Sequence, residues 1–382
     1  PALFIDNHVS NGADYQYTLT HLFTQHNKLG GALGNYLHQT FMPALEDSLA
    51  QKNWDITPYV NVFNSTPDQG FKQFFDSPRY STGYTTLFNT LGMMVETHML
   101  KPYKKRVEGT YELMKTFIAI AEKEAEQIKK LSRYSETRYP VGGQYPISWK
   151  IDSSKTTELN FKGYTGTITS SKVTHSDRLK YDRNLPFTKK VAYQNYYLPD
   201  KKIRIPESYI VPKGWWRIVE LLKLNQIEMV PIKKDTMIEA TVYKIENFQT
   251  VQNPYEGHYL HYNTQVSSKK ERVRVSAGDY RITTQQEGVR YLLETLEPSA
   301  TDSFFNWNFF DTILQQKEGF SPYVWEDKAF ELLENDAALQ KEFERKKTKD
   351  PLFAKNAYEQ LDWIHKQSDH YEKAHLRYPI VK

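Results

Sequence analysis

The order of apolar and polar positions predicts an α/β layer at the start of the chain. Short apolar runs alternate there with longer helical patterns, which is typical of a sheet covered by helices. The predicted strands are LFID, PYVNVF and LGMMVE, and the predicted helices are TLTHLFTQH and LGNYLHQTFMPALEDSLAQ. Residues 1–138 are therefore predicted to form one α/β domain.

A long helix is predicted near the end of this part, in VEGTYELMKTFIAIAEKEAEQIKKL. Its apolar residues recur at steps of three and four, the spacing of one helix face. The residues of that predicted face are Tyr111, Met114, Phe117, Ile118, Ala121, Ala125 and Ile128.

Prolines and glycines at 140–146 mark a boundary, after which the pattern changes to strand-like alternation. The predicted strands are ELNFKGYTGTITSS, KKVAYQNYYL, MIEATVYKIENF and ERVRVSAGDYRI, and GWWRIVELLKL is a helical insertion. The pattern becomes helical again in GVRYLLETL, NWNFFDTILQQK, KAFELLENDAALQKEFERKK and NAYEQLDWIHK. Residues 139–284 are predicted to be a β-rich accessory domain, and residues 285–382 a mainly helical region packed on it.

Composition adds only that some partners and locations are not indicated. The chain has 39% apolar and 25% charged residues and a net charge of +4, without a long basic block, so the sequence gives no reason to propose nucleic acid as a partner. Its apolar runs fall short of the roughly 18 residues that cross a bilayer, so no membrane-spanning segment is predicted. The compartment is not fixed by the sequence.

The chain has no cysteine, so disulfides and thiolate ligands are excluded and a metal would need His and carboxylate ligands. Aromatic residues make up 14% of the chain. They suit packed sheets, and they also suit an aromatic-rich module that binds glycan or peptide without catalysis. That binding module is the alternative to an enzyme.

Two polar residues stand next to strand-like runs in the α/β part. His8 follows the first apolar run, and Glu96 follows the run Leu91 to Val95. Functional groups collect outside the carboxyl ends of strands in such sheets, so both are predicted at one edge. An imidazole and a carboxylate there can serve as a metal ligand and a general base. The alternative for each is a structural role, with Glu96 capping a helix or pairing with Lys101.

FIDNHVSNGADYQY and SPRYSTGYTTLFNTLGMMVETHMLKPY together resemble the second half of the catalytic domain of zinc carboxypeptidases of the carboxypeptidase A type. The likeness is closest to a bacterial branch with a long C-terminal extension. GDYRITTQQEGVRYLLETLEPSATDSFFNW and HYEKAHLRYPI extend it over most of the chain.

What the resemblance implies is a fold, a cofactor and a reaction. The family's third zinc ligand is a histidine that closes an apolar strand, which matches His8, and its catalytic glutamate closes a later strand, which matches Glu96. The implied fold is an α/β domain with an incomplete carboxypeptidase-like mixed sheet, followed by the β-rich domain and the helical region. The implied cofactor is zinc, and the implied substrate is a peptide hydrolysed at its C-terminal bond.

The chain departs from the family in one respect. The first two zinc ligands of the family lie in an HxxE motif upstream of the third, and HxxE does not occur in these 382 residues. A catalytic zinc needs about three protein ligands. We therefore expect this chain to be the C-terminal portion of the enzyme, to bind zinc weakly or not at all, and to be inactive by itself. A natural protein that has lost catalysis is the alternative.

The loop before Glu96 contains candidates for substrate binding. The family places a mobile tyrosine before its catalytic glutamate, and Tyr84 or Tyr80 fits that role. Arg79 could bind a substrate carboxylate through two hydrogen bonds, or could be an exposed turn residue. The β-rich domain is expected to narrow the crevice and so to favour short peptides. A sheet edge left exposed would allow two copies to pair as a dimer.

Overall fold

The computed structural model describes residues 1–136, 138–316 and 318–382. Its strands are β1 (Leu3–Ser10), β2 (Leu19–Phe23), β3 (Ile56–Pro58), β4 (Phe71–Lys72), β5 (Leu91–His98), β6 (Gln144–Ile151), β7 (Thr157–Ser170), β8 (Asp177–Gln194), β9 (Tyr197–Arg204), β10 (Ser208–Val211), β11 (Val230–Pro231), β12 (Thr236–Thr250), β13 (His261–Val275) and β14 (Tyr280–Thr283).

The α-helices are α1 (His26–Leu29), α2 (Gly31–Tyr36), α3 (Met42–Gln51), α4 (Ser81–Thr86), α5 (Tyr103–Lys123), α6 (Ala125–Glu136), α7 (Trp216–Leu224), α8 (Val289–Leu296), α9 (Pro322–Asn335), α10 (Ala337–Lys349) and α11 (Ala357–Gln367). A π-helical turn, Leu37–Phe41, joins α2 to α3, and short 3₁₀ turns occur at Pro67–Gln69, Asp311–Leu314 and Phe353–Lys355.

The first sheet has four strands in the order β1-β5-β2-β3. β1 runs parallel to β5, and β2 runs antiparallel to β5 and parallel to β3. Alternate residues of β5, namely Leu91, Met93 and Val95, pack with Leu113 and Phe117 of α5 on one side of the sheet. The other side of β5 therefore carries Glu96, because successive side chains of a strand point to opposite faces.

Long antiparallel strand pairs dominate the middle of the chain, one of which is extended by β4 next to β8. β7 and β8 form one hairpin, β12 and β13 form another, and β6 pairs with β9. The alternating pattern predicts β7 and β12, whereas KKVAYQNYYL spans the end of β8 and the start of β9, and ERVRVSAGDYRI spans the end of β13 and most of β14. It does not predict β6. The predicted helical insertion contains α7. The chain is thus a mixed α/β protein with several small sheets.

One hydrophobic core is shared by the segments on both sides of the predicted boundary at residue 284. It contains Tyr145 from β6, Tyr209 from β10, Leu292 from α8 and Tyr378 near the C-terminus, together with Leu87 from the first part of the chain. α9, α10 and α11 pack around a separate small core. The three predicted domain ranges stay predictions.

Three local predictions are wrong. TLTHLFTQH contains β2, whose five residues are all buried between β5 and β3; a strand buried on both faces lacks alternation and is easily read as helical. In PYVNVF the strand ends at Pro58, after which Asn61 N–H donates to Tyr59 O, two residues back. In NWNFFDTILQQK, the described residues 306–316 form turns and one 3₁₀ turn instead of an α-helix, and Asn308 has a left-handed backbone (φ +64°) that interrupts helical geometry.

The long helix is present as α5 and α6, but only part of the predicted apolar face is buried: Phe117 and Ile128 are in the core. α5 buries Gly109, Leu113, Thr116 and Phe117, whereas Tyr111 and Ile118 are exposed. The sheet contacts a neighbouring stripe of the helix, and the predicted stripe lies partly in solvent.

None of the helices in the described part of the chain has both the length and the apolar character needed to cross a bilayer.

Candidate functional site

His8 and Glu96 lie side by side on the first sheet. They are register partners in the parallel pair β1 and β5, so their side chains share one face. Thr20 of β2 is the antiparallel partner of Glu96 on its other side, and its hydroxyl donates to the Glu96 carbonyl at 2.8 Å. The sheet thus sets a row of three polar residues across three neighbouring strands.

The His8 ring is held by a carboxylate of its own strand. Its Nε2 lies 2.8 Å from Oδ2 of Asp6, two residues earlier and on the same face. Burial opposes ionisation of Asp6, but contact with Ser81 of α4 and with His8 outweighs it and lowers the pKa of Asp6. His8 is therefore oriented beside an ionised carboxylate while half of its side chain remains exposed.

Glu96 is in the opposite electrostatic situation. Its side chain is buried, and Oε2 has no hydrogen-bond partner in the described part of the structure. Burial raises the pKa of Glu96; the nearby His8 opposes this change, and the charge of Asp6 adds to it. A carboxyl group whose pKa is raised in this way is a better proton acceptor than an ordinary glutamate.

A second polar row follows the first along the same face. Ser10 is the register partner of His98. The His98 ring stacks on Tyr15 at 4.2 Å between ring centres, and its Nε2 lies 3.0 Å from Oδ1 of Asp14. The Tyr15 hydroxyl lies 3.2 Å from that of Ser10.

The β7–β8 hairpin reaches this second row. Arg183 of β8 donates from Nε to Oδ2 of Asp14 at 2.7 Å, and Gln16 donates to two carbonyls of the hairpin. Lys101, after β5, lies over the ring of Tyr164 of β7. The hairpin therefore covers the part of the sheet next to Glu96 and His98.

The three candidates from the preceding loop lie in or next to α4. The Tyr84 hydroxyl donates to Asn225 after α7, and burial raises the pKa of Tyr84. Tyr80 packs edge-on against Phe74 and directly precedes Ser81, the neighbour of Asp6. Both tyrosines keep part of their surface exposed.

Arg79 is engaged with Asp302 and with two aromatic rings. Its guanidinium contacts Asp302 at 2.7 Å and its backbone N–H donates to the same carboxylate. The guanidinium also lies 5.8 Å from the ring centre of Tyr255 and 5.7 Å from that of Trp307. Binding a substrate carboxylate would first require breaking this ion pair.

Sequence reasoning missed Asp6, Ser10, His98, Asp14 and Thr20 as members of the site. A signal for three of them was available, because Asp6, Ser10 and His98 stand two residues from His8 or Glu96 on the same strands. Asp14 and Thr20 carry no such signal, since their approach depends on the order of the strands.

The described residues of this site do not provide a full set of metal ligands. Across residues 1–136, 138–316 and 318–382, no group of three or more His, Asp or Glu residues is placed to hold a metal ion. The first polar row offers one imidazole and two carboxylates, and Asp6 already contacts His8; in the second row, His98 already contacts Asp14. These groups fit one ligand and one base of a zinc site, without the full set of ligands.

Comparison of the chain with family models, curated proteins and solved structures finds no match.

Proposed function

We propose that this chain forms part of the active site of a zinc carboxypeptidase, with His8 as a zinc ligand and Glu96 as the general base. The observation that supports the proposal is the register pairing of His8 with a buried Glu96 whose Oε2 has no partner in the described residues. Perturbed ionisable groups of this kind cluster at functional sites. The resemblance of the surrounding sequence to the carboxypeptidase A family supplies the reaction.

His8 is arranged as a ligand with a fixed ring. Asp6 contacts its Nε2, which leaves Nδ1 for a metal. Zinc-bound histidines commonly donate their second N–H to a carboxylate, which sets the tautomer and the ring direction. The two further ligands that a catalytic zinc needs would come from a preceding segment that carries the HxxE motif, as the resemblance implies.

The chemistry divided between these groups is hydrolysis of a C-terminal peptide bond. Zinc, when bound, would polarise the scissile carbonyl and acidify a water. Glu96 takes the proton of that water on a carboxylate oxygen as the water oxygen attacks the carbonyl carbon. When the C–N bond breaks, the same proton passes from Glu96 to the leaving amine.

The substrate in this proposal is a short peptide with a free C-terminal carboxylate. The β7–β8 hairpin reaches the sheet through the Arg183–Asp14 pair, beside the row that contains His98. A crevice narrowed in this way admits an extended chain end more readily than a folded surface. Equal turnover of short peptides and of folded proteins would contradict this part of the proposal.

The test is hydrolysis of an N-acylated dipeptide by the full-length protein that contains this chain. Glu96→Gln should lower kcat by about 10²- to 10⁴-fold and leave zinc content unchanged, because it removes only the proton acceptor. His8→Gln should lose zinc. Glu122→Gln, on the exposed surface of α5, is the matched control and should keep full activity. Full activity of Glu96→Gln would refute the assignment of the base.

A second measurement tests the ligand count on the chain itself. Calorimetric titration with zinc should show no tight site, because no group of three or more His, Asp or Glu residues in the described part of the chain is placed to hold a metal ion, and His98, the other imidazole on this face, contacts Asp14. A tight single site would contradict the count. An inactive full-length protein whose tryptophan fluorescence changes on addition of polysaccharide would favour the glycan-binding alternative instead.

A further inference from the structure

Strand β8 has a three-residue bulge near the second polar row. In the β7–β8 hairpin, Tyr164 pairs with Pro186 and Thr165 pairs with Asp182, so residues 183–185 stand outside the register. We call these three residues the β8 bulge; they are Arg183, Asn184 and Leu185. Bulges re-aim side chains and are over-represented next to active sites. The β8 bulge is therefore a candidate for contact with a substrate.

Arg183 ties the bulge to the sheet beside Glu96. Its Nε donates to Oδ2 of Asp14 at 2.7 Å, and Oδ1 of Asp14 lies 3.0 Å from Nε2 of His98. His98 stands two residues after Glu96 on β5, so both side chains point to the same face of the sheet. Asp14 and His98 are buried, whereas the side chain of Arg183 is 51% exposed. The bulge thus lies at the border between the buried polar row and solvent.

The hairpin is fixed on both sides of the bulge. Towards the base of the hairpin, the Gln16 side chain donates to the carbonyls of Gly163 and Phe187 at 3.0 and 2.9 Å. Towards its tip, the Tyr181 hydroxyl donates to the carbonyl of Ser65 at 3.0 Å. A contact surface that is fixed in advance binds a ligand with a smaller loss of conformational entropy.

The exposed groups of the bulge include an aliphatic side chain and an amide. Leu185 is 54% exposed and belongs to none of the hydrophobic cores formed by the described residues. Asn184 is also exposed, and its backbone N–H donates to Oδ1 of Asp182 at 2.9 Å. Together these groups suit a peptide, which offers apolar side chains and backbone groups that form hydrogen bonds.

The bulge and α4 lie on opposite sides of the His8–Glu96 pair. Ser81 of α4 contacts Asp6, which precedes His8 on β1 by two residues, whereas the bulge contacts the row that follows the pair by two residues. The two tyrosines that the family resemblance assigns to substrate binding lie in or next to α4. A peptide whose carboxyl end lies towards these tyrosines therefore extends past Glu96 towards the bulge.

The spacing of strand residues determines which part of the peptide meets the bulge. Two residues of a strand span about 7 Å, and an extended peptide advances by about 3.3 Å per residue. With the scissile bond next to Glu96, the row that Arg183 reaches through Asp14 is level with the second and third peptide residues before that bond.

We propose that the β8 bulge is a subsite for the second and third peptide residues before the scissile bond, and that it favours apolar side chains there. Leu185 contacts such a side chain, and the amide of Asn184 forms a hydrogen bond with the peptide backbone. Arg183 is a positioning residue that keeps the bulge next to the sheet through Asp14. The inference rests on the proposed function and specifies the substrates that the site takes.

Hydrolysis of matched peptides by the full-length protein tests the subsite. Two N-acetylated tetrapeptides share a C-terminal dipeptide and carry either two leucines or two serines before it; the N-acetylated dipeptide is the short reference. We expect kcat/KM to be about tenfold higher for the leucine peptide than for the serine peptide. Leu185→Ser should remove most of this preference and leave hydrolysis of the short reference unchanged. Ile168→Ser, which changes a 62% exposed aliphatic residue of the same hairpin, should keep the preference.

Variants of Arg183 test its positioning role. Arg183→Gln should raise KM for the leucine peptide about fivefold and leave kcat unchanged, because the bulge is no longer held next to Asp14. Arg183→Lys keeps a positive charge there and should keep most of the original KM. Lys180→Gln, at an exposed position of the same strand, should change neither parameter. A lower kcat of Arg183→Gln with an unchanged KM would contradict this role.

The short reference separates this inference from the proposed function. If it is hydrolysed, and Leu185→Ser keeps the full preference for the leucine peptide, the subsite is wrong while the roles of His8 and Glu96 stand. If the short reference is not hydrolysed, the proposed function fails and the subsite fails with it.

Discussion

His8 and Glu96 are register partners on neighbouring parallel strands, and both side chains lie on the sheet face opposite α5. His8 is half exposed and contacts Asp6, whereas Glu96 is buried and its Oε2 lacks a partner in the described part of the chain. The pair therefore joins an oriented imidazole to a carboxyl group whose ionisation is disfavoured. This difference in exposure and charge suits the proposed roles of zinc ligand for His8 and general base for Glu96.

Glu96→Gln should make the protein more stable at neutral pH. Burial raises the pKa of Glu96, so the native state disfavours its charged form, and the neutral amide removes that cost. We expect an increase of about 0.5–2 kcal/mol in the free energy of unfolding, measured by urea denaturation at pH 7. Glu122→Gln, at an exposed position of α5, should leave the free energy within about 0.5 kcal/mol. If Glu96→Gln is destabilised instead, the charged carboxylate of Glu96 makes favourable contacts in the native state, which would contradict this prediction.

Ionisation of Asp76 should lower the free energy of unfolding as the pH rises through about 6. Burial raises its pKa to about 6 from an ordinary value of 3.8, and the nearby Lys28 only partly offsets this. The native state therefore binds the proton more tightly than the unfolded state, and the resulting stabilisation is present below about pH 4 and lost by pH 6 and above. Asp76→Asn should remove this slope in urea denaturation between pH 4 and 7. Asp47→Asn, at an exposed site on α3, should keep it.

Protonation of His26 should lower the free energy of unfolding as the pH falls, the opposite pH dependence to that of Asp76. Its ring stacks on His38 at 4.1 Å in a buried cavity, where burial, and then the charge of His38, lower the pKa of His26 to about 3. The native state resists protonation, so stability is complete above about pH 6.5 and falls as the pH decreases towards 3. His26→Gln should reduce the loss of stability on acidification from pH 6.5 to 4, measured in the same way. His175→Gln, at the exposed tip of the β7–β8 hairpin, should lose as much stability on acidification as the unchanged protein. If the free energy of unfolding falls equally in the two variants, His26 is not the group responsible.

Gly83→Ala should destabilise the protein through α4. A Cβ at this position would lie 2.0 Å from the carbonyl oxygen of Ser77 and 2.4 Å from that of Asp76, so the backbone must move. We expect a loss of about 1–3 kcal/mol in the free energy of unfolding. Gly214→Ala adds a Cβ with nothing within 4 Å and should leave stability nearly unchanged. If both variants unfold at the same urea concentration, the backbone at Asp76 and Ser77 can move away from α4 at little cost, and the prediction is wrong.

Local patterns were enough to predict most of the elements near the site. The apolar runs LFID and LGMMVE predict strands that the structure has as β1 and β5, and the three- and four-residue spacing predicts α5. These patterns succeed because each element buries one side or both against its own neighbours. The resemblance of the sequence singled out His8 and Glu96 on those strands.

β2 shows where local pattern fails. Its sequence reads as helical, yet it is a strand because β5 and β3 flank it and bury all five of its residues. The exposed side of α5 shows the same limit. Periodicity predicts an apolar face that includes Tyr111 and Ile118, but the position of the sheet decides which stripe is buried.

The sequence by itself determined that His8 and Glu96 stand directly after two apolar strand-like runs, because such runs are properties of neighbouring residues. The structure extends both strands by two residues past His8 and Glu96. Only the tertiary structure decided that these two residues are register partners, that Asp14 and Arg183 join the adjacent row, and that Arg79 is occupied by Asp302. Strand order and hairpin docking depend on burial shared between distant segments, and no local pattern of residues encodes that burial.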